Sequence, residues 1–356
     1  MKSRSTNGEA LDREWQGLDP IFIMGRQRTG TSIMWRTLRA VNFLGFNEGH
    51  LWFDLVDAFA RFRNPDYRSL LRQDIFALGA DRNILLERRF ALMMDRFHRE
   101  LLPPEVVRWV DKSPGVHAVQ VAPMLSELFP RAQFIFMKRN AITTVNSTVN
   151  YIGRERDLAA FRRTCNSWVR VMQAWRRVRH LLAGRYIEVE QEQVARRPRQ
   201  MGREVADFLG VPQYAQRLGS VFASRRENSA FPEKEPGDYV YPVPWTDQQK
   251  TMLVDLCGEE MQVWGYPIDF QHPGGIDPSR ADSQGQEERI DRTTYYRWVT
   301  RVTQGERAIR GEAELARFAQ AERIARCEEE LARLRDGRVM RALNWGEKVL
   351  RRLGLR

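Results

Sequence analysis

The sequence is poor in the residues that build disulfide frameworks and metal sites. Its 356 residues include only three cysteines and five histidines. The cysteines, Cys165, Cys257 and Cys327, are odd in number and far apart, which favours reduced thiols in a cytoplasmic setting. The sequence has no H-E-x-x-H motif, no C-x-x-C motif and no acidic cluster with calcium-loop spacing. We therefore expect a protein that works without a bound metal.

Long apolar runs are missing as well. No segment is apolar for long enough to span a bilayer, and the stretch from Met1 to Glu14 is too polar for a signal peptide. These absences predict a cytoplasmic protein. Hydrophobic residues still make up 42% of the chain, which is enough to bury a substantial core in one catalytic domain with appendages.

The charge balance is strongly positive. A net charge of +11 favours anionic ligands or surfaces. The arginines are scattered through amphipathic segments such as 158–182, and no nucleic-acid-binding signature occurs, so we predict no nucleic-acid partner. Most of this charge is expected on solvated helix faces, and part of it would serve a multiply charged ligand.

Residues 21–32 have the pattern of a buried strand that enters a glycine-flanked loop and then a helix. The spacing from Gly25 to Gly30 and Ser32 matches G-x4-G-K-S/T, except that Thr31 replaces the lysine. Glycines allow the backbone N–H groups to point inward, and a helix start attracts anions. The pattern predicts a phosphate site, although not one for the β and γ phosphates of a nucleoside triphosphate. A plain strand-to-helix turn is the alternative.

A second segment has related features. Residues 133–138 form another apolar strand pattern, followed by Arg139 and, eight positions later, by Ser147. A basic residue that leaves a strand and a serine two helical turns later can together bind a second phosphate group. In the first segment, Arg28 would add a full positive charge.

These two segments, in this order, resemble those of the sulfotransferases that use 3′-phosphoadenosine 5′-phosphosulfate (PAPS). In that family a P-K/R-S/T-G-S/T-S/T-type loop binds the 5′-phosphosulfate, and an R-D/N-P-x5-S-type segment binds the 3′-phosphate. The resemblance implies that Arg139 and Ser147 bind the 3′-phosphate. The loop residues that it assigns to the donor are Arg26, Gln27, Arg28, Thr29, Gly30, Thr31 and Ser32.

Further segments extend the resemblance over roughly residues 18–270. Residues 109–114 look like the strand and D/E-K-S/T-P segment of bacterial and Golgi-type members, and residues 129–135 are similar to their F-P-x-A-K/R-F/I-I segment. The chain departs from the family at Gln27, where proline is usual, and at Ile142, where arginine is common. These departures bear on donor affinity.

The pattern of secondary structure predicts an α/β protein. Helical and strand patterns alternate, which favours a P-loop-type parallel β-sheet flanked by helices on both faces, followed by a C-terminal helical extension. Predicted helices lie near residues 52–63, 81–102, 117–129, 155–182 and 199–209. Predicted strands lie near residues 20, 107, 134 and 187.

Sulfonate transfer needs a base for the acceptor hydroxyl and cations for the charge that grows on the leaving phosphate. Glu48 falls where the resemblance places the glutamate base of many members, and His50 and His117 are rival bases in loops beside the motifs. Arg28 and Lys112 are the predicted stabilisers of the leaving phosphate. The D-K-S-P context points Lys112 toward the carboxyl ends of the strands, where open α/β sheets bind ligands.

The function that the resemblance implies is transfer of a sulfonate group from PAPS to a hydroxyl of a carbohydrate, glycolipid or small-molecule acceptor. Two alternatives stay open. One is a P-loop nucleotide-dependent kinase or phosphotransferase with a degenerate loop, and the other is a non-catalytic anion-binding scaffold associated with a membrane. The acceptor would be selected by loops near 42–75 and 227–245, whose sequences carry no recognisable signal.

Composition divides the chain into four parts. We predict a flexible N-terminus at 1–17, a catalytic domain at 18–272, a linker at 273–290 and a charged helical extension at 291–356. The basic amphipathic pattern at 338–356 could lie peripherally on the anionic inner face of a membrane, or pack on its own domain. It could equally join two copies into a homo-oligomer.

Overall fold

The structure is a computed structural model with two compact units, Met1–Thr300 and Arg301–Arg356. Of the second unit it describes five residues, all of them helical: 301, 302, 328, 348 and 351. Of the first unit it describes residues 3–48, 63, 80–154, 156–224, 243–271 and 289–300. His50, the predicted helix near 52–63 except its last residue, and most of the linker and the extension lie outside the described residues. The membrane and self-association surfaces therefore stay predictions.

A five-stranded parallel sheet forms the centre of the first unit. The strand order is β2-β3-β1-β4-β5, and every pairing is parallel. All five carboxyl ends therefore lie at one edge, and β1 lies between β3 and β4, so segments distant in sequence meet there. The strands are β1 (Ile21–Gly25), β2 (Phe43–Asn47), β3 (Arg108–Lys112), β4 (Gln133–Lys138) and β5 (Tyr186–Glu190).

Helices alternate with the strands and cover both faces of the sheet, as predicted. In chain order they are α1 (Ser3–Gln16), α2 (Thr31–Arg39), α3 (Ala80–Glu100), α4 (Val116–Leu128), α5 (Ala141–Tyr151), α6 (Leu158–Val178), α7 (Gln191–Arg196), α8 (Pro198–Phe208), α9 (Ala215–Ser224) and α10 (Asp247–Val263). Short 3₁₀ helices lie at Arg179–Leu182 and Pro212–Tyr214.

Two hydrophobic cores lie on opposite faces of the sheet because successive strand residues point in opposite directions. In β1, Phe22 and Met24 belong to the core that includes residues of α4, α6 and α10, whereas Ile21 and Ile23 belong to the core with α2, α8 and α9. Strand β4 divides in the same way. Each fully buried large apolar side chain contributes about 1.5–3 kcal/mol, so this double burial fixes the position of the central strands.

Strand β2 was not predicted, because its short sequence contains a glycine and reads as a loop after α2. Phe43 is buried, and the backbone of Gly45 lies so close to β3 that an added Cβ would overlap the carbonyl oxygen of Val110. Only glycine permits this approach. The strand matters for the site because Glu48 directly follows its carboxyl end.

Two segments outside the predicted catalytic domain of 18–272 contact the core. In α1, the indole of Trp15 donates a hydrogen bond to the carbonyl oxygen of Leu128 over 2.8 Å. Residues 292–300 are helical, and Tyr295, with no exposed surface, donates to the carbonyl oxygen of Gln120 over 2.9 Å. The predicted domain boundaries stay predictions. None of the described helices combines the length and the apolarity needed to cross a bilayer.

Candidate active site at the carboxyl edge of the sheet

The loop between β1 and α2 has the strand, loop and helix arrangement that the sequence predicts. Three of its residues have positive φ angles: Gly25 at 135°, Arg28 at 72° and Gly30 at 97°. For Arg28, a non-glycine residue, this conformation costs about 1–2 kcal/mol. Such strain persists where the surrounding structure enforces it and is concentrated at functional sites.

The amino-terminal end of α2 is open to an anion. Its N-cap is Gly30, and no side chain caps the helix. Within the loop, both the hydroxyl and the N–H of Thr29 donate to the carbonyl oxygen of Arg26, over 2.7 and 3.3 Å. The N–H groups of the first turn and the positive end of the helix dipole are thereby left for a ligand, with the hydroxyls of Thr31 and Ser32 beside them.

Lys112 brings a buried positive charge to this loop. Its side chain is 1% exposed, and its Nζ donates to Glu48 Oε1 over 2.6 Å and to Ser32 Oγ over 3.4 Å. The backbone N–H of Glu48 donates to the carbonyl oxygen of Lys112 over 2.8 Å. The loop itself has no lysine, but β3 thus supplies an ammonium group next to its serine. Three residues predicted from separate segments come together here.

Arg28 connects the loop to the second predicted segment. Its Nε donates to Ser147 Oγ over 3.0 Å, and its carbonyl oxygen accepts from Arg139 Nη1 over 3.1 Å. Helix α5 positions Ser147 and begins at the N-cap residue Asn140, whose side chain accepts from the N–H of Ile142 over 2.8 Å. Burial lowers the pKa of Arg28, and the nearby Arg139 lowers it further. Two positive charges therefore lie close together in this part of the site, and a bound anion would reduce the repulsion between them.

Two other loop residues that were predicted to bind the donor have different environments. Arg26 is 5% exposed, and its Nη1 donates to Thr148 Oγ1 over 2.6 Å and to the carbonyl oxygen of Gln27 over 2.9 Å. Burial lowers the pKa of Arg26 to about 10. These contacts hold the loop against α5, whereas the side chain of Gln27 is exposed. Their role in donor binding stays a prediction.

His117 is the one rival base that lies within the described residues. It is half-buried in the first turn of α4, just after the segment that follows β3. That segment is held on β1 by two backbone hydrogen bonds, from Ser113 to the carbonyl oxygen of Ile23 over 3.1 Å and from Gly115 to that of Gly25 over 2.7 Å. Glu48, the other predicted base among the described residues, directly contacts Lys112.

Sequence reasoning missed a group of buried side chains beside Arg139. Glu192 Oε1 lies 3.5 Å from Arg139 Nε and accepts from Thr143 Oγ1 over 2.9 Å. Glu190 Oε2 accepts from the hydroxyl of Tyr266 over 2.6 Å. The available signal was the pair of glutamates at the end of a predicted buried strand, where a solvated carboxylate is not expected. Among the residues that the structure describes, no three His, Cys, Asp or Glu side chains form a group that could hold a metal.

Comparisons with known proteins identify a family and two similar solved structures. A family model described as the sulfotransferase family matches residues 20–216. The chain is similar to the sulfotransferase domain of the Synechococcus PCC 7002 olefin synthase, with 17% identity over 67% of this chain and 94% of that one and a TM-score of 0.38. It is also similar to the sulfotransferase STF9 from Mycobacterium avium, with 13% identity over 76% and 81% of the two chains and a TM-score of 0.43.

A search of curated proteins gives no match for this chain. The family model spans more than half of the chain, and the matched range contains the loop after β1, Lys112, Arg139 and Ser147. On this match, the chain belongs to the sulfotransferase family.

Proposed function

We propose that the protein transfers a sulfonate group from PAPS to a hydroxyl group of a carbohydrate, glycolipid or small-molecule acceptor. The observation that carries this proposal is the 3.0 Å hydrogen bond between Arg28 Nε and Ser147 Oγ, together with the 3.1 Å contact between Arg139 Nη1 and the Arg28 carbonyl oxygen. These contacts unite the two predicted phosphate-binding segments at one place. A single adenosine carrier with phosphate groups on both sides of its ribose could therefore contact both.

The residues present fit such a donor. Gly30 lets the loop pack closely against Gln191 and Met137, since an added Cβ would lie only 3.1 and 3.2 Å from their side chains. The uncapped first turn of α2 would bind the 5′-phosphosulfate with Thr31 and Ser32, and the other segment would bind the 3′-phosphate. PAPS would supply the sulfonate group, and adenosine 3′,5′-bisphosphate would leave.

In the proposed reaction the acceptor oxygen forms a bond to sulfur while the bond from sulfur to the oxygen of the 5′-phosphate breaks. Glu48 takes the proton of the acceptor hydroxyl. Its side chain is 47% exposed and only its Oε1 is held by Lys112, so an acceptor can reach the other carboxylate oxygen. Lys112 and Arg28 stabilise the charge that appears on the leaving phosphate.

Ligand binding gives the first test of this proposal. We expect the full chain to bind adenosine 3′,5′-bisphosphate without magnesium in isothermal titration calorimetry, and to bind it more tightly than adenosine 5′-phosphate or ATP with magnesium. Tighter binding of ATP with magnesium would instead favour the kinase or phosphotransferase alternative.

A transfer assay tests the chemistry and the acceptor class. Incubation with ³⁵S-labelled PAPS and a cell extract should label a hydroxyl-bearing product, which mass spectrometry would identify. Glu48→Gln should bind the bisphosphate normally but lose most of the transfer. Glu105→Gln, a change of an exposed glutamate before β3, should keep both normal binding and normal transfer. Normal transfer by Glu48→Gln would disprove the assignment of the base, and no labelled product with any extract would favour the scaffold alternative.

A further inference from the structure

The proposed chemistry leaves a buried acidic group at the carboxyl end of β5 unexplained. Glu190, Glu192 and Tyr266 are 5%, 2% and 3% exposed. Glu192 contacts Arg139, the predicted ligand of the 3′-phosphate. Buried carboxyl groups are costly unless they are paired and hydrogen-bonded, so their position beside this arginine needs a physical reason.

Each of the two glutamates has one carboxyl oxygen that accepts a hydrogen bond and one that does not. Glu190 Oε2 accepts from Tyr266 over 2.6 Å, and Glu192 Oε1 accepts from Thr143 over 2.9 Å. The remaining atoms, Glu190 Oε1 and Glu192 Oε2, are buried and have no hydrogen-bond donor among the described residues. The two carboxyl groups interact with each other, because Glu192 raises the pKa of Glu190. One proton held between them would satisfy both oxygens.

The surroundings decide which glutamate carries this proton. Burial raises the pKa of Glu190 well above its usual range, and the Glu192 carboxylate raises it further. The nearest lysine, Lys138, is already bound to Glu188, with Nζ 2.9 Å from Oε2, and Arg179 binds the same carboxylate over 2.8 Å. Glu192 has Arg139 as its cationic neighbour. We therefore assign the proton to Glu190.

We propose that Glu192 is the positioning residue for Arg139, and that Glu190 holds the proton that limits the pair to one negative charge. The inference rests on the proposed function, in which Arg139 binds the 3′-phosphate of the donor. The carboxylate faces Arg139 Nε, and the carbonyl oxygen of Arg28 holds Nη1. The first contact is an ion pair at 3.5 Å and the second a hydrogen bond at 3.1 Å, and together they would hold the guanidinium in position for the 3′-phosphate.

Removal of the Glu192 charge would have two opposing effects on donor binding. It would remove a negative charge near an incoming phosphate, which favours binding, but it would also release the guanidinium from its fixed orientation. The second effect should dominate, because the charge of Glu192 is already balanced by Arg139, whereas a phosphate contact depends on donors in fixed positions. Glu190, which is already neutral, should tolerate replacement by glutamine.

A pair of nucleotides that differ only in the 3′-phosphate tests this proposal on the full chain. Adenosine 3′,5′-bisphosphate should bind Glu192→Gln at least roughly tenfold more weakly than the wild type, which is the equivalent of one charge-assisted hydrogen bond. Adenosine 5′-phosphate should bind both equally, and this also shows that the variant is folded. Glu190→Gln should bind both nucleotides as the wild type does. Thr143→Val, which removes only the hydroxyl that holds Glu192, should give a smaller loss for the bisphosphate alone.

Three results would overturn the inference while the proposed function stands. One is unchanged or tighter binding of the bisphosphate to Glu192→Gln, and another is an equal loss for both nucleotides, which would indicate a purely structural role. The third is a loss in Glu190→Gln with normal binding by Glu192→Gln, which would place the proton on the other glutamate. A wild-type protein that shows no preference for the bisphosphate would overturn the proposed function, and this inference with it.

Discussion

Lys112 is the residue at which burial and charge conflict most directly. Its ammonium group is 1% exposed, yet it carries a full charge whose direct partners are Glu48 and Ser32. Glu48 is 47% exposed, so water partly solvates its charge. Loss of the lysine would therefore not leave a buried, unpaired carboxylate. Such a lysine adds little net stability because its burial is costly, and its position beside the predicted phosphate-binding loop favours a role in function.

This reasoning predicts the behaviour of Lys112→Met, which keeps the length of the side chain and removes its charge. We expect the transfer rate to fall by about 100- to 1,000-fold, the effect of losing one donor to a developing anion. The free energy of unfolding should change by no more than about 1 kcal/mol, since the partners that lose a contact are a half-exposed glutamate and a serine hydroxyl that is 3.4 Å away. Steady-state assays with labelled PAPS and guanidinium titrations would measure the two quantities.

The matched control for that variant is Lys250→Met on α10, whose side chain is 34% exposed and pairs with Asp247. It should leave both the rate and the stability unchanged. A large loss of stability in Lys112→Met with an unchanged rate would mean that the lysine serves the fold and not the reaction.

At the scale of elements, the site is formed where one strand ends and the next helix begins. The loop from β1 to α2 combines three positive φ angles with an uncapped helix start, and β2 and β3 bring Glu48 and Lys112 to it. Each element is simple, and the chemistry arises because parallel strands place all such junctions at one edge. A change in the backbone of the loop should therefore damage ligand binding more than it damages the fold.

The variant Gly30→Ala tests this expectation. At φ 97° an alanine is strained, and its Cβ would lie 3.1 Å from Gln191 and 3.2 Å from Met137. We expect a loss of about 1–2 kcal/mol in stability and a loss of bisphosphate binding. Gly210→Ala is the matched control, because Gly210 has φ 73° but nothing within 4 Å of its added Cβ. Its stability, measured by thermal denaturation, should fall by a similar amount, and it should bind the bisphosphate normally. Equal binding losses in both variants would argue against a phosphate-binding loop.

At the scale of the whole molecule, local patterns in the sequence determine part of the site and strand order determines the rest. The apolar runs of β1 and β4 and the glycines of the loop are local, so the alternating α/β fold could be predicted. Strand β2 could not be predicted from its sequence. Its Gly45 is needed because β2 closely approaches Val110 on β3, and a local pattern does not show this approach. The contact of Arg139 with Glu192 depends on β4 lying beside β5. The hydrophobic periodicity of the sequence does not reveal this strand order.

Stability of the whole first unit should also depend on the buried proton of Glu190. Burial and the Glu192 carboxylate raise the pKa of Glu190 well above the ordinary value of 4.5. Between that value and the raised pKa, the folded protein holds a proton that the unfolded chain has released. The free energy of unfolding should therefore fall as the pH rises, by up to about 1.4 kcal/mol per pH unit from this group.

Glu190→Gln should remove this contribution, because glutamine stays neutral in both states while it can still hydrogen bond to Tyr266 and Glu192. Guanidinium titrations of the wild type and the variant at pH 5, 6, 7 and 8 would give the difference in free energy of unfolding at each pH. We expect the free energy of unfolding of the variant, relative to the wild type, to increase steadily as the pH rises. Glu105→Gln, at an exposed position, should show no such trend. A constant difference across the range would mean that Glu190 is already ionised in the folded protein. The charge beside Arg139 would then be two carboxylates, which would oppose the binding of a 3′-phosphate.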